Sequence, residues 1–157
     1  MIREVLVTPT TNPVSTVIPE EVSVEELADG SYVCQPEGAG PFPAVLYNHG
    51  GLGKAIGGDL AGTCRALAAA GYLARSERRQ ETIQLTGHLD EVLAALGWLR
   101  SHPDADANRV GVMGFSRGGL LTLQAAIQQP QAVHAVILMA PAHGRGAMTR
   151  TLQRGSS

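Results

Sequence analysis

Residues 109–119 read RVGVMGFSRGG. The first seven form a short apolar run of the kind shown by a strand buried on both faces. The rest opens a helix predicted to run to about Gln129, closed by Pro130. Ser116 therefore falls where a strand turns sharply into a helix. Such a turn forces the serine into a strained backbone conformation that lifts its Oγ above the sheet. Gly114 and Gly118, two before and two after, are required because a Cβ there would collide with the neighbouring strand or helix. The helix that starts at the turn directs its first N–H groups at negative charge developing beside the serine. A tight glycine turn holding an ordinary serine is the plainer reading, and the strand–turn–helix context weighs against it.

The flanking sequence alternates in the same way. Upstream, 44–48 (AVLYN) is a buried-strand run ending in His49-Gly50-Gly51-Leu52-Gly53, where adjacent glycines free the backbone to turn N–H groups toward a ligand oxygen. An Ala/Leu-rich helix over 60–70 ends at Gly71, and 72–76 is a strand running into the charged loop 77–81. The helix over 88–100 places Leu89, Val92, Leu93, Leu96 and Leu99 on one face, and Pro103 stops it. Residues 133–139 (VHAVILM) make the last strand. Before all these, 22–27 and 31–35 flank Ala28-Asp29-Gly30 and read as a hairpin. Crossover helices between strands demand a parallel sheet. The predicted fold is a three-layer α/β/α sandwich with a mostly parallel sheet and an antiparallel N-terminal hairpin. Residues 1–19 form an irregular arm with a short strand at 4–7, and 20–157 form one domain.

The two glycine-rich turns separate into roles. Ser116 attacks a carbonyl carbon, and the N–H of Arg117 with one from Gly51 or Leu52 stabilises the oxyanion, each donor being worth about 3 kcal/mol of barrier. His49 is read as shaping its loop by local hydrogen bonds rather than as a base. At these residues the chain resembles the α/β-hydrolase superfamily, and within it the dienelactone-hydrolase-like and acylaminoacyl-peptidase-like branches. The resemblance runs from about Val22 to Gly144 through PAVLYNHGG, DEVLAALGWLRSHP and RVGVMGFSRGG. It implies a carboxylesterase-like serine hydrolase of ester or related acyl bonds, with Ser116 as nucleophile and no cofactor or metal. Serine, where dienelactone hydrolases carry cysteine, fits the esterase and peptidase side.

The family's triad runs serine, acid, histidine, with the last two on loops after further strands. Only 41 residues follow Ser116, and one helix, one strand and a tail use them up. The expectation is an incomplete α/β-hydrolase domain, shortened at its C-terminus, that turns over little on its own. Among substitutes for the missing base, His143 follows the last strand but is read as a loop residue. His88 and His102 are read as solvated helix flanks and His134 as a hydrogen-bonded strand residue. Glu77 and Glu81 are assigned to a solvated loop with Arg78 and Arg79. The last strand becomes an unguarded edge, which predicts self-association through it.

Two rival classes stand beside this reading. Gly51–Gly57 spells G-x-G-x-x-x-G after a strand, which suggests a dinucleotide-binding oxidoreductase with Arg75 and Arg78 on a 2′-phosphate, though its third glycine is one residue late. A non-catalytic binding protein on a hydrolase scaffold is the other. Composition narrows the field: 157 residues, 44% hydrophobic and 17% charged, suit one globular domain. A net charge of −2 without basic runs speaks against nucleic-acid or membrane partners, and the resemblance implies a small ester or acyl substrate. No signal-like or spanning segment is read. Cys34 and Cys64 lack any short-range spacing, so a cytoplasmic protein with free thiols is expected.

Overall fold

The computed structural model describes residues 22–51, 56–80 and 84–142. The N-terminal arm, Leu52, Glu81 and His143 lie outside these residues. Among the described residues, six strands form one sheet in the order β1-β2-β4-β3-β5-β6. Strands β1 (Ser23–Glu26) and β2 (Tyr32–Gln35) are the hairpin, with Ser23 opposite Gln35 and Glu26 opposite Tyr32. Strand β2 also pairs antiparallel with β4 (Leu73–Glu77). Strands β4, β3 (Phe42–Asn48), β5 (Ala105–Phe115) and β6 (Ala135–Met139) are parallel. The mostly parallel sheet with an antiparallel edge hairpin is the predicted one.

Three helices supply the crossovers: α1 (Leu60–Ala69), α2 (Leu85–Ser101) and α3 (Arg117–Gln128). Side chains alternate across a strand, and the sheet uses that alternation to build two cores. Val33, Leu46, Leu73 and Val112 face α2 and α3 and pack with Leu89, Val92, Leu96, Leu99 and Leu121. Cys34 and Ala74 face the other way, toward Cys64 and Ala68 of α1. Each fully buried leucine of the larger core contributes about 1.5–3 kcal/mol. At the end of α1, Gly71 at φ 95° lets its own N–H reach Ala68 O (2.9 Å) and that of Tyr72 reach Leu67 O (3.1 Å). These two bonds satisfy carbonyls the helix leaves open, and the left-handed turn needs a residue without a Cβ.

Several boundaries differ from expectation, among them these three. Helix α2 starts three residues early, which puts His88 inside its first turn. Strand β5 begins at Ala105, but its pairing with β3 is irregular between Phe42 and Ala44. There Asp106 accepts from Asn108 N (2.9 Å) and Arg109 Nε (2.6 Å), a turn-like knot that delays the regular ladder to Val110. The last strand starts at Ala135, so His134 precedes it.

The cysteines are not free. Cys34 and Cys64 form a disulfide, with Cα atoms 5.6 Å apart, between β2 and α1. Thirty residues separate them in the chain, and the β3–α1 crossover brings α1 back over β2, a proximity that spacing does not announce. No helix among the described residues is long and apolar enough to cross a membrane.

Candidate functional site

The parallel strands end side by side, with Asn48 level with Gly114 and Phe115 level with Met139. The loop after β3 and the turn after β5 therefore meet at one sheet edge, the edge at which open α/β folds bind ligands. Ser116 occupies that turn at φ 51° and ψ −116°. A side-chain-bearing residue held there costs about 1–3 kcal/mol and persists only where its surroundings fix it. The fixing bonds come from the end of β6 and the residues just after it. Ser116 N donates to Met139 O (2.9 Å), and Ala142 N donates to Ser116 O (2.8 Å). The serine side chain makes no capping bond to α3.

The glycines beside it are required by contact. A Cβ on Gly114 would strike the carbonyl of Gly118, and a Cβ on Gly118 would strike the carbonyl of Asn48. The loop after β3 approaches just as closely: a Cβ on Gly50 would lie 2.9 Å from the Phe115 ring and 3.2 Å from the Ser116 Cβ. That loop is pinched shut at its base, because Gly50 and Gly57 exchange N–H···O bonds of 2.9 and 3.0 Å. Gly51 follows at φ 88°. A further tie runs beneath, where buried Asn48 donates to Thr122 Oγ1 of α3 (3.0 Å). The structure thus brings Ser116, Gly50 and the first turn of α3, which opens with Arg117, into one constellation.

His49 is buried, and its contacts fix its tautomer. Nδ1 lies 2.5 Å from Gly50 O and 3.3 Å from Arg79 Nη2; the shorter contact, to a carbonyl, assigns it the proton, and Nε2 accepts from Arg79 N (3.4 Å). Burial and the Arg79 guanidinium push its pKa down to about 4. The imidazole is neutral, and both nitrogens serve the loop. Arg79 itself donates to His49 O (2.7 Å). Burial, with Arg117 nearby, lowers Arg79 to about 10, which leaves it charged at neutral pH.

Several polar residues depart from expectation. His88 is buried rather than solvated, and its Nδ1 accepts from Arg117 Nε (2.9 Å). It lies on the core face of α2, in step with Val92, Ala95 and Leu99. His102 is half-buried at the end of α2, with Nδ1 accepting from Asp104 N (3.2 Å). His134 is exposed, and its Nδ1 accepts from Val110 N (3.3 Å). The stretch after β4 is not a solvated loop: Glu77 and Arg79 are buried, and only Arg78 between them is exposed. Arg75 Nε is 2.7 Å from Glu77 Oε2, and its guanidinium lies 4.5 Å from the Trp98 ring centroid. Burial raises the Glu77 pKa even with that partner. Arg75 is committed to this cluster rather than presented to a 2′-phosphate. Sequence alone does not reveal Arg79 as a loop anchor; its one signal is position, directly after a strand that ends level with β3.

Among the described residues, no group of three or more His, Cys, Asp or Glu is placed to hold a metal ion. An open cleft of about 270 Å³ is lined by Glu26, Tyr32, Ile56, Asp59 and Arg78 among others. Ser116 does not line it.

Comparison with known proteins agrees with this geometry. Residues 84–151 match the family model described as the prolyl oligopeptidase family. No curated protein sequence matches the chain. Among solved structures, a bacterial heroin esterase is 26% identical with a TM-score of 0.65, covering 78% of this chain and 45% of its own. A hyperthermophilic esterase from the archaeon Pyrobaculum calidifontis is 24% identical with a TM-score of 0.63, over 78% and 44%. A sugar hydrolase from Lactococcus lactis is 24% identical with a TM-score of 0.59, over 77% and 53%. The chain spans about half the length of these proteins, and its six-stranded sheet is part of their fold. Sheet order, serine turn and these likenesses together place the chain in the α/β-hydrolase superfamily.

Proposed function

We propose that this chain is the nucleophile-bearing part of a serine hydrolase acting on carboxylic esters or related acyl bonds. The observation that supports it most is the backbone of Ser116, a non-glycine residue at φ 51° packed against the glycine loop after β3. In this reading Ser116 Oγ attacks the acyl carbon, and its proton passes through solvent water to the leaving oxygen. The tetrahedral oxyanion is held by the N–H of Arg117 and one from Gly51 or Leu52. Collapse expels the alcohol and leaves an acyl-serine, which water then hydrolyses. Each amide donor lowers the barrier by about 3 kcal/mol, and the positive charges of Arg79 and Arg117 nearby reinforce the same field.

The engaged nitrogens of His49 remove it as the base. Without an activated serine, the oxyanion donors and binding alone leave on the order of 10³–10⁴-fold acceleration over water. The esterases among its structural likenesses support the ester class, and the peptidase-family match supports acyl transfer more generally. The test is hydrolysis of p-nitrophenyl acetate by the wild-type chain and by Ser116→Ala, with fluorophosphonate labelling read by mass spectrometry. Slow hydrolysis lost in the variant, with the label on Ser116, is the expected result. Equal hydrolysis by both proteins and no label would overturn the assignment in favour of a non-catalytic scaffold.

A further inference from the structure

Helix α1 meets the sheet through small side chains. Cys34 of β2 and Ala74 of β4 face Cys64 and Ala68 of α1, all four buried, and half-buried Val22, Val24, Tyr32 and Leu67 close over them. The Cys34–Cys64 disulfide crosses this contact. Among the described residues, no member of the larger core comes from α1. The bridge therefore ties down one layer and leaves the other to its own packing. The same helix starts three residues after Gly57, whose bonds with Gly50 close the glycine loop. Only Gly58 and Asp59 lie between. Gly58 passes so near the Tyr47 hydroxyl that a Cβ would lie 2.6 Å from it, and Asp59 caps the helix by accepting from Gly62 N (2.9 Å). A shift of α1 is thus passed to Gly57 and on to Gly50, the residue packed against Ser116.

We infer that Cys34 and Cys64 form a redox switch: the bridged form holds α1 on the sheet and orders the glycine loop facing Ser116, and the reduced form releases both. A dithiol reductant supplies the electrons. One of its thiolates attacks a bridge sulfur and expels the other as a thiolate, which takes up the proton the dithiol gave up. The second thiol of the reductant then breaks the mixed disulfide and frees the second cysteine. The products are two cysteine thiols and the oxidised dithiol. Two unbonded thiols need more room than a bridge, and a close-packed contact of small residues yields it only by letting α1 move outward. The way in lies past β1, a four-residue edge strand whose Val24 stands opposite Cys34. Local opening of such an edge costs less than opening of a core. The consequence for catalysis, loss of an ordered oxyanion donor, rests on the hydrolase reading; the ordering of the loop does not.

The test is amide hydrogen exchange on the full chain in three states: oxidised, reduced with dithiothreitol without denaturant, and reoxidised. Alkylation and mass spectrometry count the thiols. Reduction is expected to expose two thiols and to speed exchange in α1 and at Gly50 and Gly57 on the order of tenfold or more, with α2 and α3 unchanged. Fluorophosphonate labelling of Ser116 is expected to slow by a similar factor, and reoxidation to restore both. Equal exchange at α1 and the two glycines in both forms would overturn the inference. So would loss of protection throughout α2 and α3, which would make the bridge a staple of the whole fold, or thiols that appear only in denaturant. No label in either form, with the exchange contrast intact, would overturn the hydrolase reading and support the switch.

Discussion

Replacing Ser116 by glycine and by alanine separates backbone strain from side-chain chemistry. Both variants lose the hydroxyl, and the serine makes no capping hydrogen bond that alanine would forfeit. Only alanine keeps a Cβ at φ 51°, ψ −116°, a conformation that costs such a residue about 1–3 kcal/mol. Glycine relieves that cost but is more flexible in the unfolded chain, which takes back about 0.5–1 kcal/mol. The net expectation is that Ser116→Gly is more stable than Ser116→Ala by about 0.5–2 kcal/mol. At this chain length each kcal/mol moves the melting temperature by about 2–4 °C. Urea titrations followed by Trp98 fluorescence would measure the difference, and equal slopes would license the comparison. An alanine variant as stable as the glycine variant would show that the turn holds no strain, and the argument for a displayed nucleophile would lose its physical basis.

The buried groups give two more expected outcomes. The folded-state pKa of His49, about 4, lies below its unfolded value near 6.5. Between those values the unfolded chain binds the extra proton, so this histidine makes stability fall as pH drops from about 6.5 toward 4. Urea midpoints at several pH values should show that slope, reduced in His49→Asn, and an unchanged slope in the variant would refute the assignment. The Cys34–Cys64 bridge joins residues 30 apart in the chain. In the chain-entropy model, converting both cysteines to serine should cost about 3.5 kcal/mol. Coincident unfolding curves with and without reductant would contradict a bridged native state.

The elements are legible in the sequence because they are written in local periodicity. Leu89, Val92, Leu96 and Leu99 recur at helical steps, and AVLYN and RVGVMGF are apolar runs bounded by turn residues. The serine turn is legible for a similar reason, since Gly114 and Gly118 reflect collisions within a few residues along the chain or with the adjacent strand. Features that depend on distant pairs stay hidden. His88 looks like a helix flank because nothing in 84–87 marks the earlier start of α2, and its partner Arg117 lies 29 residues away. Arg79 stands in a charged run that composition assigns to solvent, yet β4 ends level with β3 and delivers it to His49. The disulfide joins cysteines that only the crossover of α1 brings together.

That disulfide also divides the site topologically. The covalent ring from Cys34 to Cys64 contains β3 and the glycine loop, whereas Ser116 lies on the open chain beyond it. A protease that nicks the backbone once anywhere inside the ring leaves a single covalent molecule with both halves of the constellation still joined. The same single cut between Cys64 and Ser116 separates the nucleophile from the loop that faces it, so under non-reducing conditions the two kinds of cleavage yield different products.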